Sequence, residues 1–477
     1  MPEELNKDHP VNDENEMTEP IAIKPVIPKV GSQFLAVLKI RNFMIFSLSQ
    51  SVSLFGDKLD YMALLAMIAF FANKLGWQSA RAISYLSVII TLPTILFGPL
   101  AGVLVDRWNR LKVLIFCDSC RTILVAFIPF IIIKTANLYL VYSISFAVFL
   151  FGLFFNTARL SIIPNLVAKR RLLAANSFMN FVGRISTFLG MFFGGLIVDW
   201  QIWHRIGIHY SWSAGFYIDS LSYCVSVLGL VIIAAKTKVF RVNLEQIPEQ
   251  PQPSSHSPVF SVAQAQEKKM IEELRLAFQY IRKTPQVLFV FASIILMVII
   301  GASVFVLLVP IIQSPVSKMG FGVGTKGVGF VAAVGAIGLV ISSMSYGIVG
   351  HRISKRMTIL VSFIVLGVIA ALIPLFNSFY ALLPLAFIAG LFLSPVYIAQ
   401  DTILHEIVPE AIRGRIFSTR EWLLNLSFGV SCLVVGELTN FFSKQHLLYV
   451  AGSLIVVIST IYIFLLRKKG NWIVNKK

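Results

Sequence analysis

Several charged residues lie inside long apolar segments, where a charge is costly and therefore indicates either a function or a fixed ion pair. Asp57 falls near the middle of the first segment, Arg184 near the middle of the fifth, and Asp219 in the outer part of the sixth. Burial in an apolar site favours the neutral form of a carboxyl group, so such an acid can take up and release a proton. We expect Asp57 to titrate protons or recognise a cation, with Arg184 as a candidate partner. The alternative is a permanent ion pair that only fixes helix packing.

Asp118 and Arg121 form a second set of charges, three residues apart in the third apolar segment. This spacing puts both side chains on one helix face, where they can pair. A structural role is the favoured interpretation of the pair, although Arg121 also joins Asp57, Arg184 and Asp219 in the candidate proton-coupling and substrate-cavity set. Asp219, next to Tyr217, fits an outer gate or an interfacial anchor equally well.

The segments that must position these charges are too apolar for a soluble protein of 477 residues. Apolar residues make up 57% of the chain and charged residues only 13%, about half the usual charged share. In lipid every backbone polar group must be paired within its own segment, so runs of roughly 20 apolar residues indicate membrane-spanning helices. We predict an all-α integral membrane protein with twelve transmembrane helices, at residues 42–72, 82–105, 111–134, 137–158, 173–199, 212–235, 286–312, 325–349, 357–376, 379–404, 411–439 and 446–466.

The net charge of +18 is explained by membrane topology, so we expect no nucleic-acid partner. With the N-terminus inside, 31 of the 41 Lys and Arg residues fall on the cytoplasmic side, seven outside and three within spans. Cytoplasmic loops of membrane proteins carry this excess of positive charge. Both termini are therefore predicted to be cytoplasmic in a multi-pass protein.

Polar stretches divide the chain into a cytoplasmic N-terminal tail (1–40), a six-helix half (41–235), a cytoplasmic linker (236–285), a second six-helix half (286–467) and a C-terminal tail (468–477). The linker begins with a Pro-rich flexible stretch. It then carries apolar residues at helical spacing, which predicts an amphipathic helix on the inner membrane face. These residues are Met270, Leu274, Phe278 and Ile281.

The two halves resemble each other when the chain is shifted by about 245 residues. Gly56 then falls on Gly301, the run Gly102-x4-Arg107 falls on Gly347-x4-Arg352, and Pro164 falls on Pro409. The charge of Asp106 is not kept, because His351 takes its place. A repeat of six spans predicts two pseudo-symmetric halves with the substrate site between them near the midplane.

The loop between the second and third spans reads Gly98-Pro-Leu-Ala-Gly102-Val-Leu-Val-Asp106-Arg107-Trp-Asn-Arg110-Leu-Lys112. The two glycines share one helix face and permit close approach of another helix. Asp106 can face the positive N-terminal end of a helix from the other half. The loop resembles the signature loop of the major facilitator superfamily, and that resemblance implies a conformational latch that stabilises the outward-open state. Its residues are Gly98, Gly102, Asp106, Arg107, Arg110 and Lys112, with Arg352 and Arg415 from the second half.

Further runs are similar to the macrolide-efflux and enterobactin-exporter branch of this superfamily. That resemblance implies an exporter in the bacterial plasma (inner) membrane, with a small-molecule substrate, protons and membrane lipid as partners. We expect a monomer, since each chain carries both halves of a pathway, and no cofactor. The runs are Arg41-Asn-Phe, Ser51-Val-Ser-Leu-Phe-Gly-Asp57, Ala158-Arg-Leu-Ser-Ile-Ile-Pro164-Asn-Leu-Val, Phe216-Tyr-Ile-Asp219-Ser-Leu-Ser222, Ile271-Glu-Glu-Leu-Arg-Leu-Ala-Phe-Gln-Tyr280 and Val408-Pro-x4-Arg413-Gly-Arg415-Ile-Phe-Ser418.

The fifth span carries Gly190-Met-Phe-Phe-Gly194-Gly195. It resembles the antiporter motif of drug exporters, but Met191 stands where proline is typical. Glycines at this spacing favour tight helix packing. The motif therefore favours antiport, and a simple packing face is the alternative.

Other functions find little support in the sequence. Gly324-Thr-Lys326 has the wrong order for a phosphate-binding loop, and Pro409 stands where His405-Glu-Ile-Val would need a second metal-binding histidine. We expect no metal site and no enzyme activity. The function predicted is proton-coupled efflux of a small hydrophobic or amphipathic compound of the drug or siderophore type. Two alternatives remain, a lipid or lysophospholipid translocator and a non-transporting receptor or scaffold.

Overall fold

The computed structural model describes residues 37–168, 171–236, 275, 278–313, 323–350, 353–376 and 378–468. Within these ranges every regular element is helical, and twelve helices are long. A one-turn helix, Ile202–Arg205, and a 3₁₀ turn, Ile373–Leu375, join the long helices. The long helices are α1 Arg41–Lys74, α2 Ser79–Arg107, α3 Arg110–Thr135, α4 Leu138–Leu166, α5 Leu172–Val198, α6 Ser211–Lys236, α7 Pro285–Gln313, α8 Gly324–Val349, α9 Lys355–Leu372, α10 Phe379–Ile407, α11 Glu410–Leu438 and α12 Lys444–Lys468.

Eleven of these helices are long and apolar enough to cross a membrane by length and composition. The exception is α1, which has 34 residues but carries Asp57, Lys58 and Asp60 close together near its centre. Its length exceeds the roughly 20 residues that a bilayer requires. The charges, and not the length, therefore set α1 apart from the other helices. Two of them, Asp57 and Asp60, belong to the polar cluster described below.

The helix ends follow the sequence prediction except at α4, which was expected to end at residue 158 and continues to Leu166. Pro164 lies inside its last turn, whereas Pro409 precedes α11 as its N-cap, so the two repeated prolines occupy different positions. Membrane helices accommodate an internal proline when neighbouring groups satisfy the freed backbone. In the short α2–α3 loop, Asn109 is the N-cap of α3. Its side chain accepts hydrogen bonds from Leu111 N and Lys112 N at 3.1 and 3.2 Å.

We call the end of the bundle where α1 stops and α2 starts the outer end, and the opposite end, predicted to be cytoplasmic, the inner end. At the outer end one apolar core includes buried residues from both halves, among them Met67 and Ile128 from the first half and Val306 and Leu448 from the second. Toward the inner end each half has its own core. The halves therefore pack together at the outer end and separate toward the inner end.

The predicted amphipathic helix falls mostly outside the described residues, including Met270 and Leu274. Its last turn is described and contacts the second half. Ile281 is buried in the inner core of that half, and the Tyr280 hydroxyl donates a hydrogen bond to the Ile407 carbonyl at 3.3 Å. The linker is thus anchored where it enters α7.

Candidate functional site

A polar cluster lies inside the first half, where α1, α3 and α6 meet. The Asp57 carboxylate forms an ion pair with Arg121 and accepts a hydrogen bond of 2.6 Å from the Tyr223 hydroxyl. Arg121 also hydrogen-bonds the Tyr223 hydroxyl. Three helices therefore contribute one side chain each to a single network, which lies within the apolar interior of the bundle.

Arg121 is shared between two carboxylates. Its second terminal nitrogen lies 3.2 Å from Asp118 Oδ1, so Asp57 and Asp118 flank one guanidinium. The guanidinium carbon lies 4.0 Å from the centre of the Tyr223 ring and 5.7 Å from that of Phe155. Such cation–π contacts strengthen when water is excluded, and the Arg121 side chain is only 7% exposed. Arg121 is therefore held in a defined position that is almost closed to solvent.

Two more acids complete the cluster. Asp219 is fully buried and accepts a hydrogen bond of 3.0 Å from Ser222, while Asp60 is 4% exposed. One oxygen of each, Asp219 Oδ2 and Asp60 Oδ1, has no hydrogen-bond partner within the described residues. Gly56 allows α6 to approach α1 here, because a Cβ at this position would overlap Asp219 Oδ1 and Ser222 Oγ.

The network corrects one expectation from the sequence. Asp57 pairs with Arg121, not with Arg184, whose residue is exposed on α5. The structure does form the ion pair expected between Asp118 and Arg121. It also buries Asp219 in the interior of the first half, while Tyr217 is 46% exposed.

The two halves contact each other at the outer end along α2 and α11. Arg81 Nε lies 3.0 Å from Glu437 Oε1, and the Tyr85 hydroxyl donates to the same oxygen at 2.7 Å. Deeper along the same pair of helices, a Cβ at Gly429 would lie 2.8 Å from the Thr91 hydroxyl oxygen. The helices therefore approach closely over the outer half of their length.

A second contact between the halves, along α5 and α8, includes the glycines of the antiporter-like motif. Gly190 and Gly194 pack on α1, where a Cβ at Gly190 would lie 2.7 Å from the Phe55 carbonyl oxygen. Gly195 faces α8, and a Cβ there would lie 2.8 Å from the Thr325 carbonyl oxygen. The motif is thus a packing surface with two faces, of which one contacts the other half.

Asp199, directly after α5, caps the first turn of α8. Its Oδ2 accepts a hydrogen bond of 2.7 Å from the backbone N–H of Lys326. The N-cap of α8 is Val323, which has no side-chain oxygen to satisfy these free N–H groups. Two features require glycine at position 324: its φ is +71°, and a Cβ there would overlap the Asp199 carboxylate. A carboxylate at a helix N-terminus is also favoured by the helix dipole.

Burial also affects Asp199, which lies outside the membrane-spanning segments. Partial burial raises the pKa of its carboxyl above the ordinary value, although the hydrogen bonds from the backbone of Lys326 and Thr325 act in the opposite direction. The pKa of this carboxyl therefore depends on how closely the outer end packs around it.

The signature loop at the inner end is in a different situation. Asp106 is 68% exposed, and its nearest cation is Arg110 at 3.7 Å, while Arg110 also donates to the Ser161 carbonyl oxygen at 2.9 Å. A Cβ at Gly102 would meet no atom within 4 Å, and one at Gly98 would meet only Thr94 of the same helix. Among the described residues, the close helix approach predicted at this face is therefore not present in this state.

The remaining latch residues are Arg107 and Lys112, which are exposed, Arg415, which is partly exposed, and Arg352, which lies outside the described residues. In the described part of the chain no group of three or more His, Cys, Asp or Glu could hold a metal ion.

Sequence reasoning missed four residues of these sites. Asp60 follows Asp57 by three residues and Tyr223 follows Asp219 by four, so helical spacing from a known intramembrane acid was a usable signal. Asp199 and Glu437 were not identifiable in this way, because each lies at a helix end and contacts the other half of the molecule.

Comparison with known proteins agrees with this architecture. The profile of the Major Facilitator Superfamily matches residues 48–344 and 317–477. Macrolide efflux protein A of Streptococcus pyogenes is 23% identical over 438 residues, covering 89% of this chain and 95% of that protein. The MFS-type transporter YfmI of Bacillus subtilis is 30% identical over 130 residues, which is 26% of this chain and 32% of that protein.

Among solved structures, a bacterial homologue of the human lysosomal transporter Spinster, in an inward-facing and unoccupied conformation, superposes with a TM-score of 0.60. It is 14% identical and covers 89% of this chain and 96% of that one. Identity this low shows a shared fold alone. The profile covers most of the chain and the helical bundle has the same fold, so this chain belongs to the Major Facilitator Superfamily.

Proposed function

We propose that this protein is a secondary transporter that exchanges protons for a small hydrophobic or amphipathic compound, and that the carboxylates around Arg121 couple the two. The observation that carries the proposal is the charge imbalance of the cluster. Four carboxyl groups, those of Asp57, Asp60, Asp118 and Asp219, share two cations: Arg121 pairs with two of them, and Arg159 interacts electrostatically with Asp57. A buried charge without a partner is costly, so binding protons is the less costly way to balance such a site.

Asp57 is the member best suited to exchange protons. Its side chain is 24% exposed, whereas Asp118 is fully buried, so Asp57 alone of the two is accessible from outside the packed interior. When Asp57 binds a proton, Arg121 can turn its full charge to Asp118; when Asp57 is ionised, Arg121 is shared. Protonation at one exposed acid is in this way linked to the position of a side chain that contacts α1, α3 and α6.

The two ends of the bundle supply the conformational part of the mechanism. In the predicted orientation the structure is inward-open, with Asp199 and Glu437 holding the outer end closed. We propose that the signature loop closes the inner end in the alternate state, when Gly98 and Gly102 receive a helix of the second half. Alternating closure around a central site is the expected mode of such a transporter. Export from a bacterial plasma membrane by a monomer completes the proposal.

The test is substrate-triggered proton release from acid-loaded proteoliposomes, with macrolides, catecholate siderophores, cationic dyes and lysophospholipids as candidate substrates. Wild-type protein should release protons with at least one compound, and Asp57→Asn should release none while it still binds that compound. Glu410→Gln is the matched control, because Glu410 is 90% exposed at the inner end, away from the cluster. Equal release from Asp57→Asn and wild type would show that Asp57 is structural.

A lipid or lysophospholipid translocator is the second candidate. An apolar cavity of about 380 Å³ inside the second half favours it, since an acyl chain needs such a volume. Binding of a substrate without proton release would move this candidate to first place.

A further inference from the structure

The second half contains an apolar cavity of about 380 Å³ between α7, α8, α9 and α10. Its described lining contains only Met, Ile, Val, Leu, Phe, Ala and Gly. A smaller space of about 280 Å³ borders α7, α10 and α11 and includes Tyr397 and Asn425. The two spaces share Met297, Gly301 and Leu393 and therefore adjoin. The apolar part lies nearer the outer end of the bundle and the partly polar part nearer the inner end.

The two halves differ in packing next to a pair of glycines that the sequence repeat aligns. Gly56 and Gly301 occupy equivalent positions in the sequence repeat. A Cβ at Gly56 would overlap side chains of α6, whereas a Cβ at Gly301 would meet no atom within 4 Å. The glycine at this repeat position therefore allows close helix packing in the first half, whereas in the second half it borders open space.

The cavity also lies next to the path between the halves. Phe305 lines it. The same ring stacks on Tyr61 of α1 with ring centres 6.2 Å apart and contacts Phe428 of α11 in a tilted arrangement, also at 6.2 Å. Because Phe428 lines the smaller space, a molecule that enters between the halves reaches the polar part first and the apolar part next.

Physical chemistry restricts the occupant of this space. Protein interiors are packed to the density of organic crystals, with few voids larger than a water molecule. Water in the larger cavity would find no side-chain partners among the described lining residues, and a stable buried water needs two to four. The volume falls in the range of ligand pockets, about 300–1,000 Å³. An apolar group of comparable volume is the chemistry that fits.

We propose that this cavity binds the aliphatic chain of an amphipathic substrate, while its polar head stays beside Tyr397 and Asn425. The charged groups that act on Tyr397 are Asp401, Glu421 and Arg420. The proposal deepens the proposed function, on which its transport aspect rests. Two carboxylates share the single guanidinium of Arg420 there, which favours a head that carries a positive charge. An alkylammonium compound and a zwitterionic lysophospholipid both have this chemistry, and the test separates them.

The experiment measures affinity along a homologous series. Purified protein in nanodiscs is titrated with n-alkyltrimethylammonium ions whose chains have eight to fourteen carbons, and tryptophan fluorescence reports binding. Each methylene buried should raise affinity about fourfold, until the cavity is full and the increase stops. Gly301→Leu should stop the increase at a shorter chain, and Gly301→Ala should give an intermediate length.

Partition of longer chains into the lipid is the same for every variant, so only the difference between variants reports on the cavity. Gly347→Leu is the matched control, because a Cβ at Gly347 also meets no atom within 4 Å but lies on α8 outside the cavity lining. It should keep the wild-type chain-length dependence. An identical dependence in wild type and Gly301→Leu would overturn the proposal. Should Gly301→Leu fold poorly, Gly301→Ala alone carries the comparison.

A parallel series of lysophosphatidylcholines identifies the source of the chain. If Gly301→Leu shortens the limiting chain length only in the ammonium series, the ligand is a drug-like cation. If it does so only in the lipid series, the ligand is a phospholipid. An unchanged limit in both series refutes the site. Asp57→Asn separates this proposal from proton coupling, because it should abolish proton release and leave the chain-length limit unchanged. A Gly301-dependent limit without proton release in wild type would support the cavity site and refute proton antiport.

Discussion

Gly195 is the position where a single methyl group tests how the outer end closes. In Gly195→Ala the new Cβ would lie 2.8 Å from the Thr325 carbonyl oxygen, and ordinary contacts begin at 3.4 Å. The neighbour is backbone in the first turn of α8, so it cannot rotate away, and α5 and α8 must separate by about 0.6 Å. The hydrogen bond from Lys326 N to Asp199, 2.7 Å in this structure, would then lengthen beyond its usual range of 2.7–3.2 Å.

The cost of such overpacking is about 1–3 kcal/mol. It falls on the outer-closed state alone, because the helices are apart when the outer end opens. A difference of this size changes the ratio of the two states by about 5- to 150-fold. Gly195→Ala should therefore move the population from the outer-closed toward the outer-open state.

Spin labels at Gln201 and Phe441, both exposed at the outer end and one in each half, measure this population in double electron–electron resonance. The background replaces Cys117, Cys120, Cys224 and Cys432. The longer distance should gain weight in Gly195→Ala. Gly183→Ala on the same helix is the control, because its Cβ meets only a Leu54 methyl at 3.7 Å. If the distance distribution of Gly195→Ala matched those of wild type and Gly183→Ala, the reasoning would be refuted.

Two further predictions concern charges. Arg121→Gln leaves Asp118 buried without its cation, so we expect a loss of about 3–5 kcal/mol in unfolding free energy, seen as a lower melting temperature; Arg121→Gln combined with Asp118→Asn should recover part of it, and no recovery would contradict the pairing. Burial in the closed outer end raises the pKa of Asp199 above its ordinary value, and opening of that end should remove this burial. The closed state therefore binds the proton more tightly, so lowering the pH stabilises closure, and this stabilisation is lost as the pH rises through the raised pKa. The same spin-label distances should show this dependence in wild type and lose it in Asp199→Asn.

The helices were predictable from the sequence because lipid leaves the backbone few alternatives. Each segment must satisfy its own N–H and C=O groups, so apolar length alone indicates a helix. Eleven helices meet this criterion in the structure. The criterion fails at α1, where Asp57, Lys58 and Asp60 lower the hydropathy. It also fails at the end of α4, which continues through Pro164 beyond the predicted end at residue 158.

The charges of the site were predictable as a group but not as a network. A charged residue inside an apolar segment is conspicuous in any sequence, and Asp57, Asp118, Arg121 and Asp219 were identified in this way. Which of them pair depends on how α1, α3 and α6 are rotated and spaced, and no local pattern encodes this. Arg121 was assigned to Asp118, three residues away, although it also pairs with Asp57, 64 residues away.

By itself the sequence determined the membrane-spanning architecture, the internal repeat and the set of buried charges, because each depends on composition and spacing along the chain. Only the tertiary structure decided that Arg121 and not Arg184 pairs with Asp57, that Asp199 caps α8, and that Gly301 opens into an apolar cavity while Gly56 is packed. These features join helices distant in the chain. They depend on how the two halves pack, which one-dimensional patterns of hydropathy do not specify.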